Sequence, residues 1–288
     1  MDYVFIYSII AKLPNRFSAR NLMKPFLKWA GSKFKIIERV RTALPSGSRL
    51  VEPFVGSGAV FMNTEFDSYL LGDSNRDVID LFSAVKRDGN EFIEYAKQLF
   101  SAQNNEAGAF YELRQEFNDC PPGSRRSALF VYLNRHCFNG LCRYNSKGKF
   151  NVPFGRYDSP GFPEAELIAF NSKSQRADFV HADFRSTMRS ATLGDVVYCD
   201  PPYVPLSATS NFSDYTAEGF GVSEQRELAT LAAELSERGV PVVISNHDTE
   251  FTRAAYARAV IEAFGVQRFI SSSAANRGKA AELIAVFS

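Results

Sequence analysis

The sequence predicts an α/β protein with a mostly parallel sheet, a closing antiparallel hairpin and a helical insert. Short apolar runs bounded by turn residues alternate with stretches of helical periodicity, which is the pattern of strand–helix–strand units. From residue 76 to residue 163 this alternation stops and helical periodicity dominates. A chain of 288 residues can bury one large core and still carry an inserted lobe.

The strands are predicted where apolar runs are short and end in glycine, proline or aspartate. They cover residues 49–54, 69–72, 178–182, 195–199 and 240–245, with a closing hairpin of residues 265–271 and 282–287. Helices are predicted at residues 36–44, from residue 59 onward, and at 77–86, 91–100, 110–117, 126–136 and 223–237. Strands and helices in this order form an open, mostly parallel sheet.

The composition is that of an ordinary globular protein, with 45% hydrophobic residues, 23% charged residues and a formal net charge of +1. Four cysteines without a CxxC pair predict reduced thiols in the cytoplasm, and Cys137, Cys142 and His136 are too poorly spaced for zinc, so no metal is predicted. The apolar residues 3–11 are too few to span a bilayer, so no membrane partner is expected. Residues 1–22 are interpreted as a dispensable, disordered or mis-started extension.

A glycine loop follows the first predicted strand. Gly56 and Gly58 let the backbone pass close to a ligand, but the position where a dinucleotide fingerprint needs glycine or alanine is Phe61. Asp73 ends the next strand, where its carboxylate can accept both hydroxyls of a ribose. This pairing favours a nucleoside without a pyrophosphate, such as S-adenosylmethionine, over the simpler interpretation of a tight turn into a helix.

The tetrad Asp200-Pro201-Pro202-Tyr203 follows the most apolar predicted strand. Its two prolines must end that strand, because they cannot donate ladder hydrogen bonds. The Asp200 carboxylate and the Pro201 carbonyl can both accept from an exocyclic amine, which makes its nitrogen a better nucleophile, and Tyr203 can stack on the base. The simpler interpretation is a proline-terminated strand with a turn aspartate. Cys199, just before the tetrad, is predicted to be core.

The insert contains an acid-free basic segment, residues 120–157. Its seven basic residues alternate with aromatic rings, a composition typical of contact with a polyanion, although a solvated basic loop is the simpler alternative. Arg143 could read guanine, and Asn139 or Asn145 could read adenine. Phe138 or Leu141 could wedge into a base stack and help to flip a base out. The basic residues are Arg125, Arg126, Arg135, Arg143, Lys147, Lys149 and Arg156.

Five motifs resemble those of the Dam-type DNA adenine-N6 methyltransferases, the D12 class. They are FLKWAGSK at 26–33, EPFVGSG at 52–58, FNGLCRYN at 138–145, NVPFGRY at 151–157 and DPPY at 200–203. The resemblance implies a Rossmann-like catalytic domain of residues 23–75 and 164–288, with a helical target-recognition insert of residues 76–163. It also implies S-adenosylmethionine as methyl donor, base flipping and double-stranded DNA with a GATC-like target as partner. The enzyme would be a monomer in solution, associated with the nucleoid through DNA.

The same resemblance implies a set of site residues. The catalytic ones are Asp200, Pro201, Pro202 and Tyr203. The cofactor site would be formed by Trp29, Lys33, Glu52, Phe54, Gly56, Gly58, Asp73, Asp183 and Asp200. DNA would be contacted by Lys28, Arg135, Phe138, Asn139, Leu141, Arg143, Asn145, Pro153 and Tyr157. Two positions depart from the family pattern, Ser32 in place of a glycine and Phe138 in place of a tyrosine.

Two other function classes remain open on the sequence. A methyltransferase for a protein glutamine or an RNA base would carry a similar motif, more often Asn-Pro-Pro-Tyr, and would not need the acid-free segment. A nucleic-acid-binding module without activity would not need Asp73, Asp200 and Tyr203 together. The role in the cell, whether replication control, restriction-modification or another, is not determined by these residues.

Overall fold

The computed structural model describes residues 22–203, 220–267 and 279–288. Within them, seven strands form one sheet. The strands are β1 (Arg49–Glu52), β2 (Ser68–Asp73), β3 (Ala177–His181), β4 (Asp195–Cys199), β5 (Val242–His247), β6 (Val260–Gln267) and β7 (Lys279–Phe287). Their order across the sheet is β3-β2-β1-β4-β5-β7-β6. Strands β1 to β5 are parallel, and β7 runs antiparallel to both of its neighbours.

The helices connect these strands and supply most of the region between β2 and β3. They are α1 (Ile37–Ala43), α2 (Ala59–Asn63), α3 (Arg76–Lys97), α4 (Ala107–Asp119), α5 (Ser124–His136), α6 (Glu164–Ser174), α7 (Phe184–Arg189), α8 (Val222–Glu237) and α9 (Glu250–Ala255). Helix α3 bends at Gly89, where φ is 50° and ψ is −123°. The two helices predicted at 77–86 and 91–100 correspond to its two halves, because glycine tolerates this conformation.

The sheet is buried on both faces. Leu50, Tyr198 and Val243 pack on the face that carries helices α1 to α3, α5 and α6. Val51 and Val197 pack on the opposite face against α7 and α8. Alternation along each strand sends neighbouring side chains to opposite faces, so a strand covered on both sides is mostly apolar, as β4 is after Asp195, whose carboxylate pairs with Arg49.

The core on the first face continues into the insert. The rings of Phe26, Phe82 and Phe170 form a cluster with centroids 4.6 to 5.7 Å apart. Phe130 and Leu133 of α5 belong to the same core. The helices of residues 76–163 therefore share one core with the sheet. The division of the chain into a catalytic domain and an insert stays a prediction.

The predicted mixed α/β class with a mostly parallel sheet and a closing hairpin is confirmed. The strand β4 has the predicted bounds, whereas β6 begins earlier, at Val260, and residues 268–271 of the predicted hairpin lie outside the described residues. Helices α6, α7 and α9 were not predicted. Residues 1–21 of the predicted extension also lie outside the described residues. In the part that is described, no helix is long and apolar enough to cross a membrane.

The strand order places a topological switch between β1 and β4. Strands β2 and β3 follow β1 to one side, and β5 lies on the other side of β4. In open α/β sheets, ligands bind at the carboxyl ends of the strands at this point. The glycine loop follows β1, and the tetrad follows β4. The fold therefore brings the two predicted motifs to neighbouring positions.

Candidate active site

Asp73 and the glycine loop form a cradle at the ends of β1 and β2. The Gly56 N–H donates to Asp73 Oδ2 at 2.9 Å, and the Asn75 N–H donates to Oδ1 at 2.8 Å. Burial raises the pKa of Asp73, and these two N–H groups oppose the rise because they favour the carboxylate. Gly56 has φ 49°, and a Cβ there would lie 2.9 Å from Trp29 Nε1. Trp29, Gly56 and Asp73 are thus in one place, as predicted from the motifs.

Two further predicted cofactor residues lie around this cradle. Asp183 follows β3 and caps α7 by accepting from the Arg185 N–H at 2.9 Å. The Ala182 N–H beside it donates to the Asp73 carbonyl at 3.2 Å, which holds Asp183 at the same edge of the sheet. The Phe54 ring stacks on the Phe184 ring with centroids 5.4 Å apart.

Glu52, the last residue of β1, is a buried carboxyl group with one unused oxygen. It is 2% exposed, and its Oε1 has no hydrogen-bond partner among the described residues. Burial raises its pKa well above the usual range, and the nearby charge of Asp200 adds to the rise, while Lys173 and the Phe61 N–H oppose it. A buried polar atom without a partner is costly, so Glu52 presents an acceptor that a ligand group can satisfy.

Replacing Glu52 with glutamine is expected to raise the free energy of unfolding at neutral pH. Because the pKa of Glu52 is raised on folding, its contribution to stability is complete below the unfolded value of about 4.5 and is lost as the pH rises through the folded value. Each unit of elevation corresponds to about 1.4 kcal/mol. Urea denaturation at about pH 4 and about pH 8 measures the difference between the two proteins. A difference that does not grow with pH would contradict the role of this charge.

Asp200 is held through one of its two carboxylate oxygens. Lys33 Nζ lies 2.6 Å from Oδ1, and the Ser245 hydroxyl donates to the same oxygen at 3.2 Å. The Tyr198 hydroxyl lies 2.9 Å from Ser245 Oγ and completes a buried chain. Among the described residues no hydrogen bond reaches Oδ2. Oδ2 can therefore accept a hydrogen bond from a ligand. Burial raises the pKa of Asp200, and the Lys33 charge opposes the rise.

Tyr203 packs beside the same lysine. Lys33 Nζ lies 4.4 Å from the centroid of its ring, a cation–π contact. The His247 ring meets it edge-on, with centroids 4.7 Å apart and planes at 73°. The Tyr203 hydroxyl donates to Glu282 Oε2 at 3.4 Å. Lys33 therefore connects Asp200 and Tyr203, and the two ends of the tetrad are held by different strands.

The predicted target-reading residues assemble around the turn Phe138–Gly140. The Phe138 N–H donates to the Pro153 carbonyl at 2.8 Å, and the Asn139 N–H donates to the Tyr157 hydroxyl at 2.9 Å. Lys28 Nζ lies 4.5 Å from the centroid of the Tyr157 ring. Phe138 is 50% exposed, an unusual position for a large ring. Leu141, the other predicted wedge, packs partly against the core.

Comparison with known proteins decides the family. The model of the D12 class N6 adenine-specific DNA methyltransferases matches residues 29–269. The chain belongs to this family. Its chemistry is therefore methylation of adenine N6 in DNA, and it is an enzyme of that class.

Several DNA adenine methylases are similar to it along nearly their whole length. That of Serratia marcescens is 51% identical over 265 residues, covering 92% of this chain and 98% of its own. That of Escherichia coli strain K12 is 48% identical over 264 residues, covering 92% and 95%. One of the solved structures with a similar fold is more distant in sequence. The delta-N METTL16 methyltransferase domain is 8% identical with a TM-score of 0.41, covering 96% of this chain and 87% of that one.

The methyltransferase neutralises part of its acid-free segment with acids from elsewhere in the chain. Arg126 forms two bonds with Asp77, at 2.5 and 3.0 Å. Arg125 pairs with Glu116 at 2.6 Å, and Lys149 pairs with Asp119 at 2.8 Å. Three basic residues of the segment therefore already have acidic partners, which lie outside residues 120–157. Arg143, Lys147 and Arg156 remain exposed.

Three more of the predicted DNA contacts have protein partners in the methyltransferase. Asn145 Oδ1 accepts from the Lys147 and Lys149 N–H groups at 2.9 and 3.0 Å, so its oxygen already forms a turn. Arg135 is partly buried and donates to the Phe26 carbonyl at 3.4 Å. Arg143 donates through Nε to Asn151 Oδ1 at 2.9 Å. Asn139 is thus better placed than Asn145 to read a base.

Gln225 is a residue of the site that the sequence analysis missed. It is 3% exposed, donates to the Pro202 carbonyl at 2.6 Å, and accepts from Asn246 Nδ2 at 3.1 Å. A glutamine in an amphipathic helix gives no signal of burial. The polar run Ser245-Asn246-His247 at the end of an apolar strand was the available signal, since polar residues there point to a site.

Replacing Gln225 with alanine is expected to lower kcat by about 10- to 100-fold, because a carbonyl of the tetrad loses its positioning bond. Target discrimination should not change, since the hydrogen bonds of the Gln225 side chain go to Pro202 and Asn246. Gln175, which is exposed and donates to the Lys86 carbonyl at 3.1 Å, provides the matched control. Steady-state kinetics on one cognate and one altered duplex separate the two quantities. A loss of discrimination with an unchanged kcat would contradict this role.

Proposed function

We propose that this methyltransferase transfers a methyl group from S-adenosylmethionine to an adenine flipped out of duplex DNA, within a GATC sequence. The observation that supports this most strongly is Asp200 Oδ2, which accepts no hydrogen bond from the described residues and lies at the switch point beside the Asp73 cradle. It places an acceptor for an amine next to a site for a nucleoside. Residues 76–163 would serve as the target-recognition insert, and residues 23–75 with 164–288 as the catalytic domain.

The residues of the cradle fit S-adenosylmethionine. Asp73 keeps acceptor capacity for the ribose hydroxyls, and Trp29 lies against the glycine loop where an adenine ring can pack. Glu52 offers to the cationic end of the ligand a buried oxygen that has no partner in the described part of the chain. Lys33, Phe54, Gly58 and Asp183 would complete the walls. When bound, the cofactor supplies a methyl group on a positively charged sulfur.

The tetrad would act on the adenine amine through two acceptors. The N6 lone pair is delocalised into the ring, so the amine is a weak nucleophile. Asp200 Oδ2 and the Pro201 carbonyl would accept its two N–H groups and favour a geometry in which the lone pair is available. Gln225 already occupies the Pro202 carbonyl, which leaves that of Pro201 for the substrate. Tyr203 would stack on the base, and the proton would leave to Asp200 or water after methyl transfer.

DNA recognition would be carried by the turn Phe138–Gly140 and the residues around it. The half-exposed Phe138 can fill the gap left by a flipped base. Lys28, Asn139 and Arg143 would read base edges, with Pro153 and Tyr157 holding the turn. We infer that the enzyme works on chromosomal DNA in the cytoplasm.

Transfer of a labelled methyl group from S-adenosylmethionine to short duplexes tests the proposal. Incorporation is expected into unmethylated GATC duplex and not into the same duplex already methylated at N6, a duplex with one changed target base, or RNA of the same sequence. Digestion to nucleosides should place the label on N6-methyladenine. Binding of the cofactor without incorporation into any DNA would overturn it, and equal incorporation into all duplexes would overturn the GATC assignment.

A further inference from the structure

Asn134, in the last turn of α5, is a buried amide whose bonds all go to the backbone of other segments. It is 1% exposed. Its Oδ1 accepts from the Lys28 N–H at 2.8 Å, and its Nδ2 donates to the Lys28 carbonyl at 2.8 Å. The same Nδ2 donates to the Gly140 carbonyl at 3.2 Å. One side chain therefore pairs with both backbone groups of Lys28 and also holds the recognition turn.

These bonds join two parts of the site. Lys28 belongs to the proposed target-reading group, and Trp29, the next residue, lies against the glycine loop. Gly140 ends the turn that presents Phe138 and Asn139. The two segments also touch directly, because a Cβ on Gly140, where φ is 63°, would lie 2.4 Å from Lys28 Cβ. Neither segment can shift without leaving buried donors and acceptors unpaired, which is costly.

The Lys28 side chain is held in place as well as its backbone. Its ammonium group donates to the Arg135 carbonyl at 3.4 Å and lies over the Tyr157 ring. The Tyr157 hydroxyl in turn accepts from the Asn139 N–H. A closed set of contacts thus runs from Asn134 through Lys28 and Tyr157 back to the recognition turn. Within this set, among the described residues, the hydrogen bonds from α5 to the Lys28 backbone all come from the Asn134 side chain.

We propose that Asn134 is a positioning residue that sets target specificity, by holding Lys28 and the turn Phe138–Gly140 in register with each other and with Trp29. The inference rests on the proposed function, since it takes Lys28 as a reader of the target. Asn134 itself lies too deep to touch DNA and acts through the residues that it holds. Its loss should therefore change the choice of target in addition to any effect on the stability of the fold.

Asn63 provides a matched control for the hydrogen bonds that Asn134 makes to Lys28. Asn63 Oδ1 accepts from the Met23 N–H at 2.9 Å, and its Nδ2 donates to the Met23 carbonyl at 2.9 Å and to the Ala59 carbonyl at 2.8 Å. Asn63 is half-buried and makes the same pair of bonds to the backbone of the same N-terminal segment, five residues upstream of Lys28. Its replacement removes a comparable clamp without touching the proposed reading group.

The test compares kcat/KM on cognate GATC duplex with that on duplexes changed at one base, for Asn134→Ala and Asn63→Ala. Asn134→Ala should reduce the ratio by roughly tenfold or more, whereas Asn63→Ala should stay within about twofold of the wild type. The double variant Lys28→Ala/Asn134→Ala should lose less discrimination than the product of the two single losses, because Asn134 acts in part through Lys28. Equal ratios for the two asparagine variants, or multiplied losses in the double variant, would overturn the proposal.

Gly140→Ala keeps the experiment decisive if Asn134→Ala does not fold. Its Cβ would separate the turn from Lys28 without removing the amide, so the same loss of discrimination is expected, and wild-type discrimination would overturn the proposal. Thermal melting of each variant shows which are folded. The wild type in the same assay tests the proposed GATC specificity separately from the role of Asn134. A wild type that does not discriminate overturns the proposed GATC function as well, whereas normal discrimination there confines any failure to the role of Asn134.

Discussion

Replacing Asp200 with asparagine is expected to abolish methyl transfer while the affinity for GATC duplex stays within a few-fold of the wild type. The change removes the charge that, with the Pro201 carbonyl, would draw the adenine amine into a reactive geometry. It also leaves the buried Lys33 ammonium without its partner at 2.6 Å. Losing one well-oriented electrostatic group commonly costs roughly 10²- to 10³-fold in kcat, and Asp200 serves both the amine and Lys33, so the loss should reach or exceed that range.

Single-turnover methylation and fluorescence anisotropy measure the two quantities separately. Asp178→Asn is the matched control, since Asp178 is also close to a lysine, at 3.7 Å from Lys86 Nζ, but its side chain is 85% exposed at the edge strand β3. It should leave turnover unchanged. Ser245→Ala should give an intermediate loss, because it removes one of the two bonds to Oδ1 and leaves Lys33 in place. Turnover of Asp200→Asn at the wild-type rate would refute the role of Asp200 as an acceptor.

Replacing Arg143 with alanine is expected to relax the choice of target by about 1–3 kcal/mol at one base pair, the discrimination of a good bidentate contact. Arg143 is exposed on the loop that follows the recognition turn, and its Nε is held by Asn151 at 2.9 Å. Among the described residues its two terminal nitrogens make no hydrogen bond. They are therefore available for the paired acceptors of guanine, oriented by a side chain that is already fixed.

Kinetics on the cognate duplex and on duplexes with each target base changed in turn measure this discrimination. Lys147→Ala, in the same loop and equally exposed, is the control. If Lys147 contacts only phosphate, its replacement should weaken binding to all duplexes alike and reduce the salt dependence of binding by about one counterion. If Arg143→Ala behaves in the same way as Lys147→Ala, then Arg143 contacts phosphate and does not read a base.

The strands were predictable where burial on both faces leaves an unbroken apolar signal. Strand β4 has the predicted bounds because all five of its residues are buried and two prolines follow closely. Strand β6 begins earlier than predicted, since it is an edge strand with exposed Val260 at its start and its apolar pattern is weaker. Helices α7 and α9 have six residues each, too few for periodicity to show, and both depend on their caps at Asp183 and Thr249.

The charge of the recognition region shows a different limit. Residues 120–157 contain no acid, yet Asp77, Glu116 and Asp119 pair with three of their basic residues. Charges act through space, so a window along the chain cannot show which of them are already neutralised. The free basic residues, among them Arg143, could be separated from the paired ones only with the fold in hand.

The sequence by itself determined the chemistry-bearing groups, because their types and their places at strand ends are local properties. The glycine loop, Asp73 and the tetrad needed only short motifs and the rule that parallel strands share a carboxyl edge. The tertiary structure alone decided how those groups are held. Gln225 and Asn134 reach the Pro202 carbonyl and the Lys28 backbone from segments that are 23 and 106 residues away in the chain, and no local pattern marks either side chain. A buried hydrogen bond is chosen by the packing of whole elements, so its partners cannot be read from either segment alone.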